Sequence, residues 1–321
     1  MTIFISGIAG FVGCNLAKTL LERGHQVAGF DNLCRGSTAN LASVQGRPGF
    51  SYETVDLADI DAYRRALRAL NSRSRVEEIW HLAANSDIPA GIGDPAVDLR
   101  DTFMTTFNTL LLMRELEIRT IAFASSSAVY GDLGSRNLTE DVGPLFPISS
   151  YGAMKLASEA ALSAALESHL ERVFVFRFPN VIGVPATHGV ILDFIRKLKA
   201  TPGNLEVLGD GTQQKSYLHV DELVDAMLFI RERARDKLNY YNIGADDEGI
   251  TVRFIAETVV ERVAQGARIS FGEGNKGWVG DVPRFTYSIG KLSSLGWRPR
   301  LGSAQAVRRA VGEIAEQESG G

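Results

Sequence analysis

The sequence predicts an α/β fold, with a doubly wound parallel sheet and a smaller, interleaved C-terminal α/β lobe. Three observations predict this fold. Short apolar runs alternate with amphipathic segments over residues 1–178, a glycine-rich turn follows the first run, and polar loops replace the alternation beyond Phe178. Because strands that alternate with helices form parallel sheets, ligands are expected at the carboxyl ends of the strands.

Composition limits the classes of function. The chain has 321 residues, of which 45% are hydrophobic, and a net charge of -4 with basic and acidic residues spread along it. This balance argues against nucleic acid as a partner and favours a small ligand. No signal peptide or transmembrane run is apparent, so we expect a cytoplasmic protein without a membrane partner. Two cysteines suit a reducing compartment, and five scattered histidines predict no metal site.

The first strand is predicted at residues 2–5, and a glycine-rich turn connects it to a helix at residues 15–21. Gly7, Gly10 and Gly13 allow the backbone to bend tightly and to approach a pyrophosphate closely. The helix N-terminus, which includes Phe11 and Val12, then directs free N–H groups and its positive dipole end at the phosphates. This arrangement predicts a dinucleotide site.

The second strand, residues 26–30, ends at Asp31, which is followed by Asn32. A carboxylate in this position can accept hydrogen bonds from both ribose hydroxyls and would repel a 2'-phosphate. NAD is therefore the expected cofactor, although the nearby Arg35 leaves some room for NADP. The alternative for Asp31 is an ordinary turn or helix-capping residue.

The alternation continues with strands at residues 50–55, 78–82, 120–124 and 173–178, and with helices at about 59–70 and 96–116. Several residues that follow these strands are candidate cofactor contacts. Asp56 and Leu57 could meet the adenine edge, whereas Leu82, Ala83 and Ala84 let a cofactor lie close to the backbone. All of them fall on the edge predicted to carry the ligand.

Tyr151 and Lys155 lie four residues apart, on one face of a predicted helix. A free tyrosine, with a pKa of about 10, is a poor base at neutral pH, but a neighbouring cation stabilises its phenolate. The pair could therefore remove a proton from an alcohol. Alone, this spacing is more often an accident of a surface helix, and it gains weight from the dinucleotide site.

Residues 1–178 are predicted to form the NAD-binding Rossmann domain, with a return segment at about 216–245, and residues 179–321 the substrate-binding lobe. Polar loops at 180–189 and 209–217 flank a helix at about 190–199 in the second part. Residues 240–244 are expected to return to the sheet. No flexible linker separates the two parts, so they are expected to interleave along the chain.

Taken together, these motifs resemble the extended short-chain dehydrogenase/reductase family over nearly the whole chain. Within it, the chain is similar to the NAD-dependent nucleotide-sugar epimerases and dehydratases, and most of all to UDP-glucose 4-epimerases. The motifs that carry the resemblance are Gly7-x-x-Gly10-x-x-Gly13, Asp31-Asn32-Leu33, Asp56, His81-Leu82-Ala83-Ala84, Ser125 to Gly131, Tyr151-x-x-x-Lys155, Arg177-x-x-Asn180-x-x-Gly183 and Gly209 to Gln213.

The resemblance implies that Tyr151 is the general base toward the C4 hydroxyl of a sugar and that Lys155 binds the nicotinamide ribose. Ser126 would hydrogen-bond the same hydroxyl, whereas Ser125 and Ser127 are expected to make strand-end hydrogen bonds. Further substrate contacts are implied in the second part of the chain. They are Asn180 and Lys215 at the diphosphate, Gln213, Asp281 at the nucleotide ribose, and His188, which is equally well a loop residue.

Epimerisation and dehydration both begin with oxidation at C4, and related 4,6-dehydratases follow the serine or threonine with an Asp-Glu pair. This chain has Ser127-Ala128, which offers no carboxyl group and favours 4-epimerisation. Dehydration stays the alternative, as in the UDP-N-acetylglucosamine 5,6-dehydratase of tunicamycin biosynthesis, because Asp87 could remove a C5 proton.

Three departures from the family pattern indicate an altered substrate pocket: Thr102 where asparagine is expected, the loop 85–91 where relatives often carry arginine and serine, and Trp278 where arginine commonly meets the diphosphate. A remote alternative is a non-catalytic NAD-binding regulatory protein, but the complete Ser126, Tyr151 and Lys155 set argues against it. The resemblance also implies a homodimer, with a candidate face on the helices at about 96–116 or 150–170.

Overall fold

The computed structural model describes residues 2–134, 136–274 and 286–320. The strands are β1 (Thr2–Ser6), β2 (Gln26–Asp31), β3 (Phe50–Thr54), β4 (Val76–His81), β5 (Thr120–Ala124), β6 (Asn137–Leu138), β7 (Arg172–Arg177), β8 (Asn180–Ile182), β9 (Asn204–Val207), β10 (Gln214–Lys215), β11 (Tyr217–His219), β12 (Leu238–Asn242), β13 (Ile250–Thr251), β14 (Arg268–Phe271) and β15 (Thr286–Tyr287).

The helices are α1 (Phe11–Glu22), α2 (Ile60–Arg73), α3 (Ile88–Gly93), α4 (Pro95–Asp98), α5 (Thr105–Glu115), α6 (Ser150–Leu166), α7 (Val190–Ala200), α8 (Val220–Arg233), α9 (Val252–Val263), α10 (Gly290–Leu295) and α11 (Ser303–Ser319). A π-helical turn, Leu99–Met104, separates α4 from α5. The helix expected at about 96–116 is therefore present as one uninterrupted helical run over residues 95–115, with the π-helical turn in its middle. No helix in the described ranges is long and apolar enough to cross a membrane.

Seven strands form the main sheet in the order β12-β7-β5-β4-β1-β2-β3, which confirms the predicted doubly wound α/β fold. The strands from β7 to β3 pair in parallel. In this register Ser6 lies beside both Phe30 and His81, and His81 lies beside Phe123. The residues that follow these strands therefore emerge along one edge of the sheet.

The chain divides into two compact units. The first comprises residues 1–131, 144–177 and 227–241, and the second comprises 132–143, 178–226 and 242–321. Residues 132–143, which the sequence places in the first part, belong to the second because β6 pairs in parallel with β15. Each unit has its own apolar core: Phe4, Phe30, Tyr63 and Phe123 lie in the first, and Ile195, Leu205, Ile255 and Val307 lie in the second.

Candidate active site

The glycine turn between β1 and α1 is shaped by close backbone packing. Gly7 has a φ of 73°, and its N–H donates to the carbonyl of Phe30 at 2.8 Å. A Cβ atom on Gly7 would lie 2.8 Å from the Ala83 nitrogen, and one on Gly13 would lie 2.2 Å from the Gly7 oxygen. Side chains at either position would separate β1, β4 and α1, so glycine is required there.

Helix α1 begins at Phe11 without a side-chain cap, because Gly10 occupies the N-cap position. Helix N-termini leave backbone N–H groups free, and those of Phe11 and Val12 belong to this first turn. The exposed N–H groups and the positive end of the helix dipole suit an anion such as a pyrophosphate. The turn therefore fits the phosphates of a dinucleotide.

Asp31 ends β2 and is almost completely buried. Its carboxylate accepts hydrogen bonds from the backbone N–H groups of Ala9, at 3.0 Å, and of Leu33, at 2.8 Å. Burial raises the pKa of Asp31, and these N–H groups oppose that shift. Asp31 thus holds the glycine turn in place, and its predicted contact with ribose stays a prediction. Asn32 accepts from the backbone N–H of Cys34 at 3.1 Å.

Asp56 and Leu57 follow β3. The Asp56 carboxylate accepts from the backbone N–H of Ala58 at 3.0 Å and forms an ion pair with Arg100. Leu57 is buried, and its carbonyl accepts from the side-chain amide of Asn108 at 2.9 Å. Both residues lie beyond the carboxyl end of their strand, where the adenine edge of the cofactor was predicted.

The segment Leu82–Ala84 is held by the buried hydroxyl of Ser6, which accepts from the N–H groups of Leu82 at 3.2 Å and Ala83 at 3.3 Å. His81 orients that hydroxyl through its Nδ1, at 2.7 Å. Burial lowers the pKa of His81 to about 3, and the charge of Lys155 lowers it further, so the imidazole is neutral. The short side chains of Ala83 and Ala84 leave the backbone accessible beside Gly7.

Ser126 and Tyr151 are brought together at the carboxyl end of β5. The phenol of Tyr151, in the first turn of α6, is hydrogen-bonded to the hydroxyl of Ser126. Burial raises the pKa of Tyr151 to about 12, although this hydrogen bond opposes the shift. Taken as a whole residue, Tyr151 is partly exposed.

Lys155 lies below Tyr151 and is only 2% exposed. Its Nζ donates to the carbonyl of Ala124 at 2.6 Å and lies 5.8 Å from the ring centroid of Tyr151. Burial lowers the pKa of Lys155 to about 7, and the carboxylates of Glu159 and Asp98 oppose this shift. An ammonium beside the phenol stabilises the phenolate, which makes the pair competent to take a proton from an alcohol.

A family model described as "NAD dependent epimerase/dehydratase family" matches residues 3–244. The chain belongs to this family. It is an enzyme family that uses NAD, and the glycine turn and the Ser126, Tyr151 and Lys155 arrangement fit that chemistry.

The chain is also similar to individual nucleotide-sugar epimerases over nearly its whole length. It is 27% identical to a UDP-glucose 4-epimerase of Mycolicibacterium smegmatis, covering 97% of each chain. The crystal structure of a UDP-galactose 4-epimerase is 33% identical, with a TM-score of 0.85 over 99% of each chain. The UDP-glucose 4-epimerase of Thermus thermophilus, solved as a complex with NAD, is 29% identical, with a TM-score of 0.84 over 98% of this chain and 99% of that one.

Asp87, the residue predicted as a base for dehydration in this member of the epimerase/dehydratase family, makes contacts with neighbouring residues. It caps α3 by accepting from the backbone N–H of Ala90 at 3.2 Å, and it forms an ion pair with Arg35. Its backbone N–H donates to the side chain of Asn85 at 3.0 Å. The cap uses Oδ1 and the ion pair uses Oδ2, so both oxygens of the Asp87 carboxylate have partners. The ion pair also engages Arg35, the residue that left room for NADP.

The other predicted substrate residues lie in the second unit. Asn180 begins β8 and donates to the carbonyl of Ser216 at 3.4 Å, and Lys215 ends β10. Gln213 is buried, and its Oε1 has no hydrogen-bond partner among the described residues. His188 is exposed and contacts the hydroxyl of Thr187 at 2.9 Å. Trp278 and Asp281 lie outside the described residues.

A buried charge network that the sequence did not predict adjoins the catalytic residues. Glu159 accepts from Arg177 at 2.6 Å, and their side chains are 10% and 8% exposed. Ser125 hydrogen-bonds to Glu159, and Arg177 donates to the phenol of Tyr130 at 3.1 Å. Glu159 follows Lys155 by one helical turn, in a helix that otherwise contains mostly small residues. A carboxylate at this spacing is the feature of the sequence that could have predicted the network.

Asp98 is a second carboxylate beside this site that the sequence did not single out. It is completely buried at the end of α4, and its charge acts on both Tyr151 and Lys155. Thr102, the departure from the family pattern, accepts from the backbone N–H of Asn85 at 3.1 Å and so supports the same region. No group of His, Cys, Asp and Glu residues within the described ranges could hold a metal ion.

Proposed function

We propose that this protein catalyses the 4-epimerisation of a nucleotide-activated hexose, a UDP-sugar, through a transient 4-keto intermediate. The main support for this proposal is the hydrogen bond between Ser126 and Tyr151, next to the buried Lys155. Ala128, nearby in the chain, stands where a dehydratase would have a carboxylic acid. Similarity to UDP-glucose and UDP-galactose 4-epimerases over the whole chain supports the choice of substrate class.

The first half of the reaction oxidises the C4 alcohol to a ketone by removing the proton of the C4 hydroxyl and the hydride of C4. Tyr151 accepts the hydroxyl proton, Ser126 orients that hydroxyl, and the Lys155 ammonium stabilises the phenolate that forms. NAD, when bound, would supply the hydride acceptor and, in its reduced form, the hydride donor. Gly7, Gly10, Gly13 and the first turn of α1 would hold its phosphates, and Asp31 its ribose.

The second half of the reaction depends on what surrounds the ketone. The carbonyl of Ala128 packs against α6 so closely that a Cβ on Gly152 would lie 2.5 Å from it. The residue after Ser127 is therefore held beside Tyr151 and carries only a methyl group. Without a carboxyl group here to move protons at C5 and C6, the ketone has only to present its other face and take the hydride back.

Dehydration, the alternative, would need another carboxylate to act at C5. Asp87 was the predicted candidate, and its cap on α3 and its ion pair with Arg35 argue for a structural role instead. Among the other predicted substrate contacts, we propose diphosphate binding for Asn180 and Lys215, and sugar or nucleotide contacts for Gln213, His188, Trp278 and Asp281. The first unit would then bind NAD, and the second the substrate.

We also propose a cytoplasmic homodimer. Phe107 and Leu111 are one turn apart on α5, and they are 41% and 38% exposed. Phe103 stacks on Phe107 with ring centroids 6.3 Å apart, which extends the apolar face. A second copy of α5 would cover this face. The low cysteine content, Cys14 and Cys34 alone in the sequence, suits a reducing compartment.

Incubation with a panel of UDP-hexoses and UDP-N-acetylhexosamines in heavy water tests the reaction. Epimerisation should conserve the mass of the sugar and take up no solvent deuterium, because the hydride returns to the carbon it left. Dehydration would lose water and introduce deuterium through an enolised ketone. A product lighter by one water, such as a 4-keto-6-deoxy sugar, would contradict the epimerase proposal, and so would no reaction with any sugar of the panel.

A further inference from the structure

Asp98 is a buried carboxylate whose hydrogen-bonding capacity is only partly used. Its side chain is 0% exposed, and Oδ1 accepts from the amide of Asn85 at 2.8 Å. Oδ2 has no hydrogen-bond partner among the described residues. Gly91 leaves the space for it, since a Cβ there would lie 1.8 Å from Oδ2. A half-satisfied buried carboxylate is costly, so a role for its charge is the physical reason to keep it.

Helix α4, which ends at Asp98, packs against α6, the helix that carries Tyr151 and Lys155. Two carboxylates act on Lys155, those of Glu159 and Asp98. Glu159 is already paired with Arg177, which donates to it from both Nε and Nη2. Asp98 is therefore left to balance the ammonium of Lys155 through space.

We propose that Asp98 is the counter-ion of Lys155 and keeps Tyr151 in its phenol form until a positive charge enters the site. In this role Asp98 is a positioning residue that acts through Lys155 and Tyr151. The proposal rests on the proposed function, because it concerns how the base for alcohol oxidation is switched on. It assigns the switch to a residue outside every motif that carries the family resemblance.

The charge balance explains the direction of the effect. Lys155 and Arg177 carry two positive charges, and Glu159 and Asp98 carry two negative ones, so a phenolate on Tyr151 would be a third, unbalanced negative charge. The nicotinamide ring of oxidised NAD is cationic and would restore the balance when bound. Without the charge of Asp98, Lys155 alone would balance the phenolate.

The other groups that act on these residues do not replace Asp98. Asp101 and Asp87 act on Asp98 itself, and Asp101 is ion-paired with Arg100 at the surface. Four other groups that interact with the Tyr151–Lys155 pair or with Lys155 in the described part of the chain carry no net charge: the Ser126 hydroxyl, the Ala124 carbonyl, the Phe123 ring and the neutral imidazole of His81.

The test is an ultraviolet difference titration of the phenolate in the full-length protein with oxidised NAD bound. The Tyr151→Phe protein identifies the signal of Tyr151. In Asp98→Asn the transition should move to lower pH by about one unit, a tenfold change in the equilibrium constant, because removing a neighbouring negative charge favours the phenolate. Asp101→Asn, the same charge change three residues further along, should leave the transition where it is in the unmodified protein.

A second neutral variant, Asp98→Ala, should shift the transition in the same direction and covers the case in which the asparagine variant does not fold. An unchanged transition in both variants, or an equal shift in Asp101→Asn, would overturn the proposal. The titration needs no turnover. Failure of the epimerase proposal would instead appear as inactivity or dehydration on the sugar panel, while the titration still responded to Asp98.

Discussion

The glycine turn between β1 and α1 and the Tyr151–Lys155 segment of α6 serve the same edge of one sheet but are built differently. The turn is made of backbone: its shape depends on the absence of Cβ atoms at Gly7 and Gly13. The α6 segment is made of side chains, with a buried ammonium at Lys155 and a phenol hydrogen-bonded to Ser126.

This difference separates binding from chemistry. Gly7 and Gly13, which shape the turn, lie close together in the chain, and Phe30, Asp31 and Ala83 contact the turn from other segments. The turn leaves the backbone N–H groups at the start of α1 free for a ligand. The reactivity of Tyr151 and Lys155 depends on charges that other elements supply, including Asp98 from α4. A change in the turn should therefore act on cofactor affinity, and a change near α6 on proton transfer.

The largest effect is expected from Tyr151→Phe. Loss of the general base should lower turnover about 10³-fold, because a positioned acid or base contributes roughly 10²- to 10⁴-fold. NAD content, measured by releasing the cofactor from denatured protein, should stay the same because the turn is untouched. Tyr52→Phe, on β3, is the matched control and should retain full turnover. Parallel loss of NAD and turnover in Tyr151→Phe would break the separation between the two regions.

A smaller effect, on stability, is expected from Glu159→Gln. This change leaves Arg177 buried without its charge partner and should reduce the free energy of unfolding by about 3 kcal/mol, measured by urea denaturation. Glu171→Gln is the control, since it removes an exposed ion pair with Arg119 and should cost less than about 1 kcal/mol. Equal losses in the two variants would show that the network next to Lys155 has no special energetic role.

The smallest effect is expected from Gly13→Ala. The added Cβ would overlap the Gly7 oxygen and displace the start of α1, at about 1–3 kcal/mol in unfolding free energy, with weaker retention of NAD. Gly312→Ala is the matched helical control, because its Cβ would meet no atom within 4 Å. That variant should gain about 0.5–1 kcal/mol. Full NAD retention in Gly13→Ala would show that the turn tolerates a side chain.

The sequence by itself determined the α/β fold class, the glycine turn, Asp31 and the Tyr151–Lys155 pair. Each depends on a short-range pattern: alternating strands and helices, glycines at fixed spacing, a residue at a strand end, or two residues one helical turn apart. Local physics decides such features, so they can be recognised without knowing what packs against them.

Only the tertiary structure decided the surroundings of the catalytic pair. Asp87 is paired with Arg35, and Glu159 with Arg177, through segments that are distant in the chain. Asp98 is buried beside Tyr151 and Lys155 in a helical segment that carries no motif. Burial and through-space charge depend on which elements pack together, and a one-dimensional pattern does not contain that information.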